Sequence, residues 1–473
     1  MKNRLGRAGW AGLILAVGFT LAGCANAVEE ESREERSQVS EDSLETEVVS
    51  EVPGSAGGED QREVVTIGTF REDYNLTELV KSFNQESGQY RAEIKVYYGP
   101  EERQQPDGYE GAATAMDLDI VSGNSQDILV IDLWEAKNFA SMGAIENLFP
   151  YFEESRNISS DDIIDAVVQA NTFDDALVSI NPYFSLATIY GSSEEFDGEG
   201  WTLEEMAEYA QGHPDQALFH GETQVSTLYT ALWFMKDGFI DEETGKCNFD
   251  TEEFREFLKI VKKFDKKGGG SELHEPEAIQ SGKALLSKMV LNTFKDIQVQ
   301  YEIFQGSPAL VGYPTADGRL SCEMVTGSVY AISSKSAQKE GAWAFLEYML
   351  LNPRDDSYGF PVLKSCFDQR AEEAVEVTYV TDANGNQKEI VMGVTRTTLP
   401  DGWSIEYHTP RQEEVDLIRK LVEIAEPKDP DFLPVLDIIH EESAAFFDGA
   451  KTGEDTAKII QNRVQLYLDE KKE

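Results

Sequence analysis

The sequence predicts an α/β fold built on a parallel sheet, and three observations carry that expectation. Val64-Val65-Thr66-Ile67-Gly68 is a short buried-strand pattern, and a helix follows with Leu76, Leu79, Val80 and Phe83 at i, i+3, i+4 and i+7. Tyr90, Ala92, Ile94, Val96 and Tyr98 then alternate with polar residues as a second strand. Asp127-Ile128-Leu129-Val130-Ile131-Asp132 is a continuous apolar run with acidic ends, as expected of a central strand covered on both faces. Strand, helix and strand at this spacing mean an α/β domain with a parallel sheet.

The later elements follow in order. Ser160–Asn171 reads as a helix with Ile163, Ile164, Val167 and Val168 inward. Residues 176–190 form two apolar strands interrupted by Asn181-Pro182, where the chain is expected to change direction because proline cannot donate to a sheet. Thr202-Leu203-Glu204-Glu205 and Asp250-Thr251-Glu252-Glu253 are capping signatures that open helices. Strand-like stretches return at Ala284–Leu291, Ala309–Tyr313 and Ser328–Ile332. Beyond Gln338 helical stripes dominate: Ala342, Phe345, Leu346 and Met349, then Val415, Ile418 and Val422, then Leu436, Ile439, Ser443 and Phe446, then Ile460, Val464 and Leu468. Val375–Val391 reads as a hairpin around Asp382-Ala383-Asn384-Gly385. Neither an internal repeat nor a second membrane segment is evident.

Charge narrows the function classes. The 473 residues include 41 Lys+Arg against 88 Asp+Glu, a formal net charge of −47. That balance argues against nucleic-acid binding, which needs clustered Lys and Arg, and against adsorption to anionic headgroups. Hydrophobic residues at 41% and aromatics at 10% still suffice for large cores. The N-terminus reverses the sign: Lys2, Arg4 and Arg7 precede the apolar stretch Ala8–Ala22, which leads into Leu21-Ala22-Gly23-Cys24. Residues 1–23 therefore read as an export signal, too short for a comfortable membrane span. The tetrapeptide resembles the lipobox of bacterial lipoproteins, which implies a diacylglyceryl group on Cys24 and anchorage at the outer face of the membrane. Residues 24–62 hold that Cys and an acidic tether. Val28–Asp60 carries twelve acidic residues, only Arg33 and Arg36 as bases, and no aromatics. A flexible coil of this length spans roughly 31–37 Å.

Catalytic and metal constellations are scarce. His213, His220, His274, His408 and His440 never fall at metal-binding helical spacing, and no cofactor motif is present. Asp382–Glu389 departs from the spacing of a calcium loop, and a turn is the expectation there. Cys247, Cys322 and Cys366 read as ordinary packed or loop residues, a Cys322–Cys366 bridge being the alternative. No catalytic residue is assigned; with 88 acids, carboxylate pairs can occur anywhere.

Binding chemistry is better represented, because aromatic and polar side chains fall where an α/β sheet exposes ligands beyond its carboxyl edges. Phe70 follows the first strand, and Asp132 and Trp134 follow the central one. Tyr183 sits at the Asn181-Pro182 crossover, Asn292 after the Ala284–Leu291 strand, and Trp403 in a loop before Pro410. Flat rings covering sugar CH faces, with carboxylates and amides fixing hydroxyls, form a carbohydrate site. Trp233 and Trp343, within helical apolar patterns, are expected in the core.

The order of elements resembles the extracellular solute-binding proteins of ABC importers, family 1, over about residues 63–473. Its carriers include Gly123-Asn124-Ser125-Gln126-Asp127-Ile128, with Gln126 where the family has Pro, and Trp201-Thr202-Leu203-Glu204-Glu205-Met206. Ala331-Ile332-Ser333-Ser334-Lys335-Ser336 leading into Glu340-Gly341-Ala342-Trp343-Ala344-Phe345-Leu346 is the most specific. The resemblance implies a two-lobed periplasmic-binding-protein fold of class II, with a ligand cleft between lobes joined by crossing strands. Mapped onto this chain, lobe one comprises 63–180 with 284–327, and lobe two 181–283 with 328–473. It also implies a monomeric receptor that captures a carbohydrate without chemistry and passes it to a membrane permease driven by a cytoplasmic ATPase. A secreted glycoside hydrolase and a non-transport surface binder for adhesion or sensing are the alternatives.

Overall fold

The computed structural model describes residues 60–471 except 222, 242–243, 264–273, 307, 355–357, 382–386, 392–395, 399–401 and 429. The export signal, Cys24, the tether up to residue 59 and the Asp382–Gly385 turn lie outside the described residues. From Glu63 the chain runs β1 (Glu63–Thr69), α1 (Tyr74–Glu86), β2 (Tyr90–Val96), α2 (Gly108–Ser122), β3 (Ile128–Ile131) and α3 (Leu133–Ser141). β1 pairs in parallel with β2 on one side and β3 on the other. All four residues of β3 are buried, which explains the uninterrupted apolar run. The Asp127 carboxylate accepts from the backbone and hydroxyl of Thr66 at 2.8 and 2.7 Å and from the Ser336 hydroxyl at 2.7 Å, tying β1, β3 and the segment after residue 332 together. Gln126 accepts from the Tyr97 hydroxyl at 2.9 Å. Its Oε1 lies 2.7 Å from where a Cβ on Gly68 would stand, so this approach to β3 requires glycine in β1.

A second sheet is built from β4 (Tyr183–Ser192), β5 (Ala217–Phe219), β6 (Ala284–Leu291) and β7 (Cys322–Thr326), with α4 (Gln224–Phe234) between β5 and β6. β8 (Val329–Ile332) then joins the first sheet antiparallel to β3, and α5 (Lys339–Leu351) packs behind it. β9 (Ala425–Pro427) returns to the second sheet alongside β7, and α6 (Leu433–Phe447) follows. The two sheets make two α/β lobes. The core of lobe two gathers Phe249, Phe254, Phe257, Leu232, Leu436 and Ile460, while Val65, Ile67, Ile128, Phe345 and Leu346 pack in lobe one.

The lobe segments expected from the sequence need correction. β6 pairs antiparallel with β4 and parallel with β5, and β7 pairs with β4, so 284–326 belongs with lobe two. β8 pairs with β3 and Gly341 packs within reach of Val65, so 329–351 belongs with lobe one. An apolar strand has the same periodicity whichever sheet it joins, and partner choice is a long-range property.

The chain crosses between lobes at three places among the described residues. Ile180 still bridges Tyr330 in lobe one, and β4 begins three residues later in lobe two. The extended stretch from β7 into β8 changes sheets across Gly327-Ser328. The third crossing returns at Gly359, whose φ of +120° and whose Cβ position, only 2.6 Å from the Phe184 carbonyl oxygen, exclude a side chain. The expected helix over 160–171 is split. Ile163 bridges Leu363, leaving a short turn at Ser160–Asp162 and a helix at Asp165–Asn171. Thr378–Thr381 and Gln387–Ile390 do form a hairpin. Cys247, Cys322 and Cys366 are free, so no Cys322–Cys366 bridge exists.

Candidate ligand cleft

The carboxyl ends of β1 and β3 open on a cavity of about 530 Å³, closed at one corner by Ser328 of the β7–β8 crossing. Phe70 and Arg71 enter it from β1, Tyr109 and Asp117 from α2, and Asp132 and Glu135 from the start of α3. Phe70 stacks on Tyr98 with centroids 5.5 Å apart, and Tyr109 meets Phe70 edge-on at 5.0 Å. The Arg71 guanidinium lies 5.6–5.9 Å from all three ring centroids, within cation–π range. Asp132 is the N-cap of α3: its carboxylate accepts from the Glu135 N–H at 2.7 Å, and the Glu135 carboxyl accepts from the Asp132 N–H at 3.1 Å. Burial pushes the Glu135 carboxyl up to about 7, with the Asp132 and Asp117 charges adding to it. Burial raises Asp117 as well.

A second cavity, about 270 Å³, lies where the lobes meet. Lobe one contributes Leu133; lobe two contributes Tyr229 and Trp233 from α4, Thr326 at the end of β7, Lys428 and Leu433. The Lys428 ammonium sits 5.2 Å from the Trp233 ring and 2.7 Å from Glu323, a side chain whose residue is only 7% exposed. Phe432 holds Trp233 edge-on at 6.1 Å. Tyr229 donates to Asp437 at 2.6 Å, and burial together with that carboxylate raises its hydroxyl pKa. Asp132 and Leu133 are adjacent, as are Gly327 and Ser328 after Thr326, so the two cavities are neighbours around the crossing strand. Both carry aromatic rings, and the carboxylates concentrate in the first.

Of the residues expected to touch ligand, the structure brings Phe70 and Asp132 together in the first cavity. The other four lie elsewhere. Trp134 is 49% exposed, on the first turn of α3, and lines neither cavity. Tyr183 is packed against lobe two, with the Arg354 N–H donating to its hydroxyl and Arg370 5.9 Å from its ring. Asn292 closes a turn, accepting from Ser185 at 2.7 Å and donating its N–H to Asp296 at 2.6 Å. Trp403 precedes a short strand, Ser404–Glu406, that borders a groove of about 700 Å³ between Tyr301 and Arg411. That groove is larger than either cleft cavity, but lobe two alone walls it. Its Arg411 and Gln298 are already engaged by the buried Glu414 behind the groove.

Sequence reasoning placed Trp233 in the core and passed over Tyr229, Lys428, Tyr109 and Glu135. The missed signal is α4 itself, Gln-Val-Ser-Thr-Leu-Tyr-Thr-Ala-Leu-Trp-Phe, whose rings extend beyond a single apolar stripe. A surface helix of this kind presents apolar groups to something besides its own core. Trp343, by contrast, is core, 9% exposed against Phe152 and Tyr151.

Two α/β lobes, crossing strands and a half-apolar hollow between them define a two-lobed substrate-binding protein of the periplasmic-binding-protein class. The chain belongs to the bacterial extracellular solute-binding protein family, whose sequence pattern matches residues 76–353, more than half of it. Among solved structures it resembles an extracellular solute-binding protein family 1 member from Alicyclobacillus acidocaldarius, at 16% identity and TM-score 0.53, covering 86% of this chain and 98% of that one. A periplasmic oligogalacturonide binding protein from Yersinia enterocolitica aligns at 14% identity and TM-score 0.55, covering 86% and 99%. The sugar-binding protein MalE from Xanthomonas citri aligns at 13% identity and TM-score 0.53, covering 86% and 98%. At such identities the likeness is one of fold. No curated protein matches the chain.

Proposed function

We propose that this protein is a lipid-anchored receptor on the outer face of a bacterial membrane, which captures a carbohydrate and delivers it to an ABC permease. The observation that carries this reading is a pair of neighbouring hollows where the lobes meet: Trp233 and Tyr229 of lobe two line one together with Leu133, and Phe70, Asp132 and Glu135 of lobe one line the other. Rings cover the CH faces of a sugar, and carboxylates accept its hydroxyls. Contacts from both lobes favour the closed population, so binding and closure are one equilibrium. The Yersinia and Xanthomonas relatives are named for an oligogalacturonide and for sugars, which supports a carbohydrate ligand here. The Leu21–Cys24 lipobox and acidic tether support the anchor, and no helix among the described residues is long and apolar enough to cross a membrane. Capture proceeds without chemistry, through a single copy of the chain and without a cofactor.

A panel of mono- and oligosaccharides tests this by thermal shift, with chromatography of the saccharide afterwards. Saturable stabilisation by an intact saccharide supports the receptor. A shortened saccharide supports a hydrolase and sinks it; a panel without any stabilisation sinks the carbohydrate reading.

A further inference from the structure

We propose that the Lys428–Glu323 pair in the interlobe cavity reads two neighbouring hydroxyls of an uncharged saccharide, and so selects neutral sugars over acidic or amino sugars. This rests on the carbohydrate reading above and adds the residues that fix the ligand and its charge class. The cavity walls are mostly apolar, with Leu133, Met324, Val325, Pro427 and Leu433 beside the rings of Tyr229 and Trp233. Among the described lining residues one acid, Glu323, and one base, Lys428, carry charge. A few polar groups set in apolar walls fix the orientation of a small ligand.

Strand register brings the pair to the cavity. β9 runs parallel to β7, with Ala425 opposite Cys322 and Pro427 opposite Met324. Lys428 therefore follows the carboxyl end of β9 beside the last residues of β7, on the sheet edge where α/β folds expose ligands. Glu323 is 7% exposed, yet its carboxylate meets the Lys428 ammonium at 2.7 Å on the cavity wall. The same ammonium lies 5.2 Å from the Trp233 ring. The adjacent acid of β9, Glu426, pairs instead with Arg319, which lines neither cleft cavity.

An ammonium has more than one N–H donor and a carboxylate more than one acceptor site, so a single mutual bond leaves both able to bind more. The two charged heads stand about as far apart as hydroxyl oxygens on adjacent carbons of a sugar ring. A sugar resting against Trp233 accepts from Lys428 at one hydroxyl and donates to Glu323 from the next, both as charge-assisted hydrogen bonds. The pair is neutral as a unit, and an uncharged ligand leaves it intact. A ligand carboxylate would draw Lys428 away and stand beside the buried Glu323, and a ligand ammonium would crowd Lys428 in the same way.

The test is calorimetric titration of the full chain, at neutral pH, with equal-length neutral oligosaccharides of glucose, galactose, mannose and xylose, an oligogalacturonide and a glucosamine oligomer. At least one neutral oligosaccharide is expected to bind about tenfold or more tighter than either charged one. Lys428→Met combined with Glu323→Gln, which leaves no stranded charge, should weaken that neutral ligand at least about tenfold, with a thermal melt to show the fold. The same double variant should shrink the advantage over the charged oligomers at least about threefold, a change that loss of packing alone would not produce. Arg319→Met, outside both cavities, should change the Kd less than about threefold. A charged oligomer that binds as tightly as the best neutral one overturns the charge selection and leaves the carbohydrate receptor standing. An unchanged Kd in the folded double variant overturns the role of the pair, again with the receptor standing. Binding of none of the oligosaccharides overturns both readings.

Discussion

Replacing Trp233 by Ala is expected to weaken ligand binding about tenfold or a little more. The ring lines the interlobe cavity from α4, with Phe432 edge-on to it and the Lys428 ammonium 5.2 Å from its centroid. An aromatic side chain buries ~150–250 Å² in total. A sugar laid on one face covers roughly 60 Å² of that, and at ~25 cal/mol per Å² this is worth about 1.5 kcal/mol, or about tenfold in Kd. Losing the seat for the Lys428 ammonium adds ~0.5 kcal/mol at a partly exposed site. Isothermal titration with whichever saccharide stabilises the wild type reads the change, with a thermal melt to show that the variant folds. The melt itself should fall by only a few degrees, since Trp233 is half-buried. Trp134→Ala is the control: exposed and outside both cavities, it should change Kd less than about threefold. An unchanged Kd in Trp233→Ala, or a tenfold loss in Trp134→Ala alone, would refute the placement of the aromatic wall on lobe two.

Three further outcomes follow from named contacts. Glu135 has a folded pKa near about 7, above its ordinary 4.5, so the folded state holds the extra proton and stability falls as pH rises through that window. Glu135→Gln should therefore match the wild-type Tm near the acid end and exceed it above neutrality, by differential scanning fluorimetry across pH; a gap that does not change with pH contradicts this. Lys428→Met strands the 7%-exposed Glu323 carboxylate and should cost about 1–3 kcal/mol in urea unfolding, most of it recovered when Glu323→Gln is added. A double variant as unstable as the single one would show that the pair matters through packing alone. Gly359→Ala forces a Cβ against the Phe184 carbonyl at φ +120° and should lower Tm by at least a few degrees, whereas a neutral result would mean that the third crossing can rearrange.

Legibility in the sequence followed the range of the interaction. β3 announced itself because both of its faces are covered, so its apolar run needs no partner to be recognised. Asp132 was visible for a similarly local reason: an acid between a buried strand and a helix is both a cap and a cleft residue. The strands Ala284–Leu291 and Val329–Ile332 were found, but their sheets were exchanged. Periodicity reports which face is buried and is silent on the neighbour. Trp233 was hidden because a ring with one face in a core and the other in a cleft looks, from its helical spacing, like any core residue. Tyr183 and Asn292 sit at strand ends as expected, and Trp403 lies just before Ser404–Glu406, yet none of the three lines either cavity. A topological position narrows the candidates to a sheet edge; only the lobe arrangement says which edge faces the ligand.

The central claim is capture by closure between the Trp233 wall and the Asp132 wall. Small-angle scattering of the protein, with and without a saturating saccharide, tests it most directly. The account predicts a smaller radius of gyration in the bound protein, with the contraction lost in Trp233→Ala at the same saccharide concentration. A saccharide that binds saturably while the radius stays unchanged would contradict it.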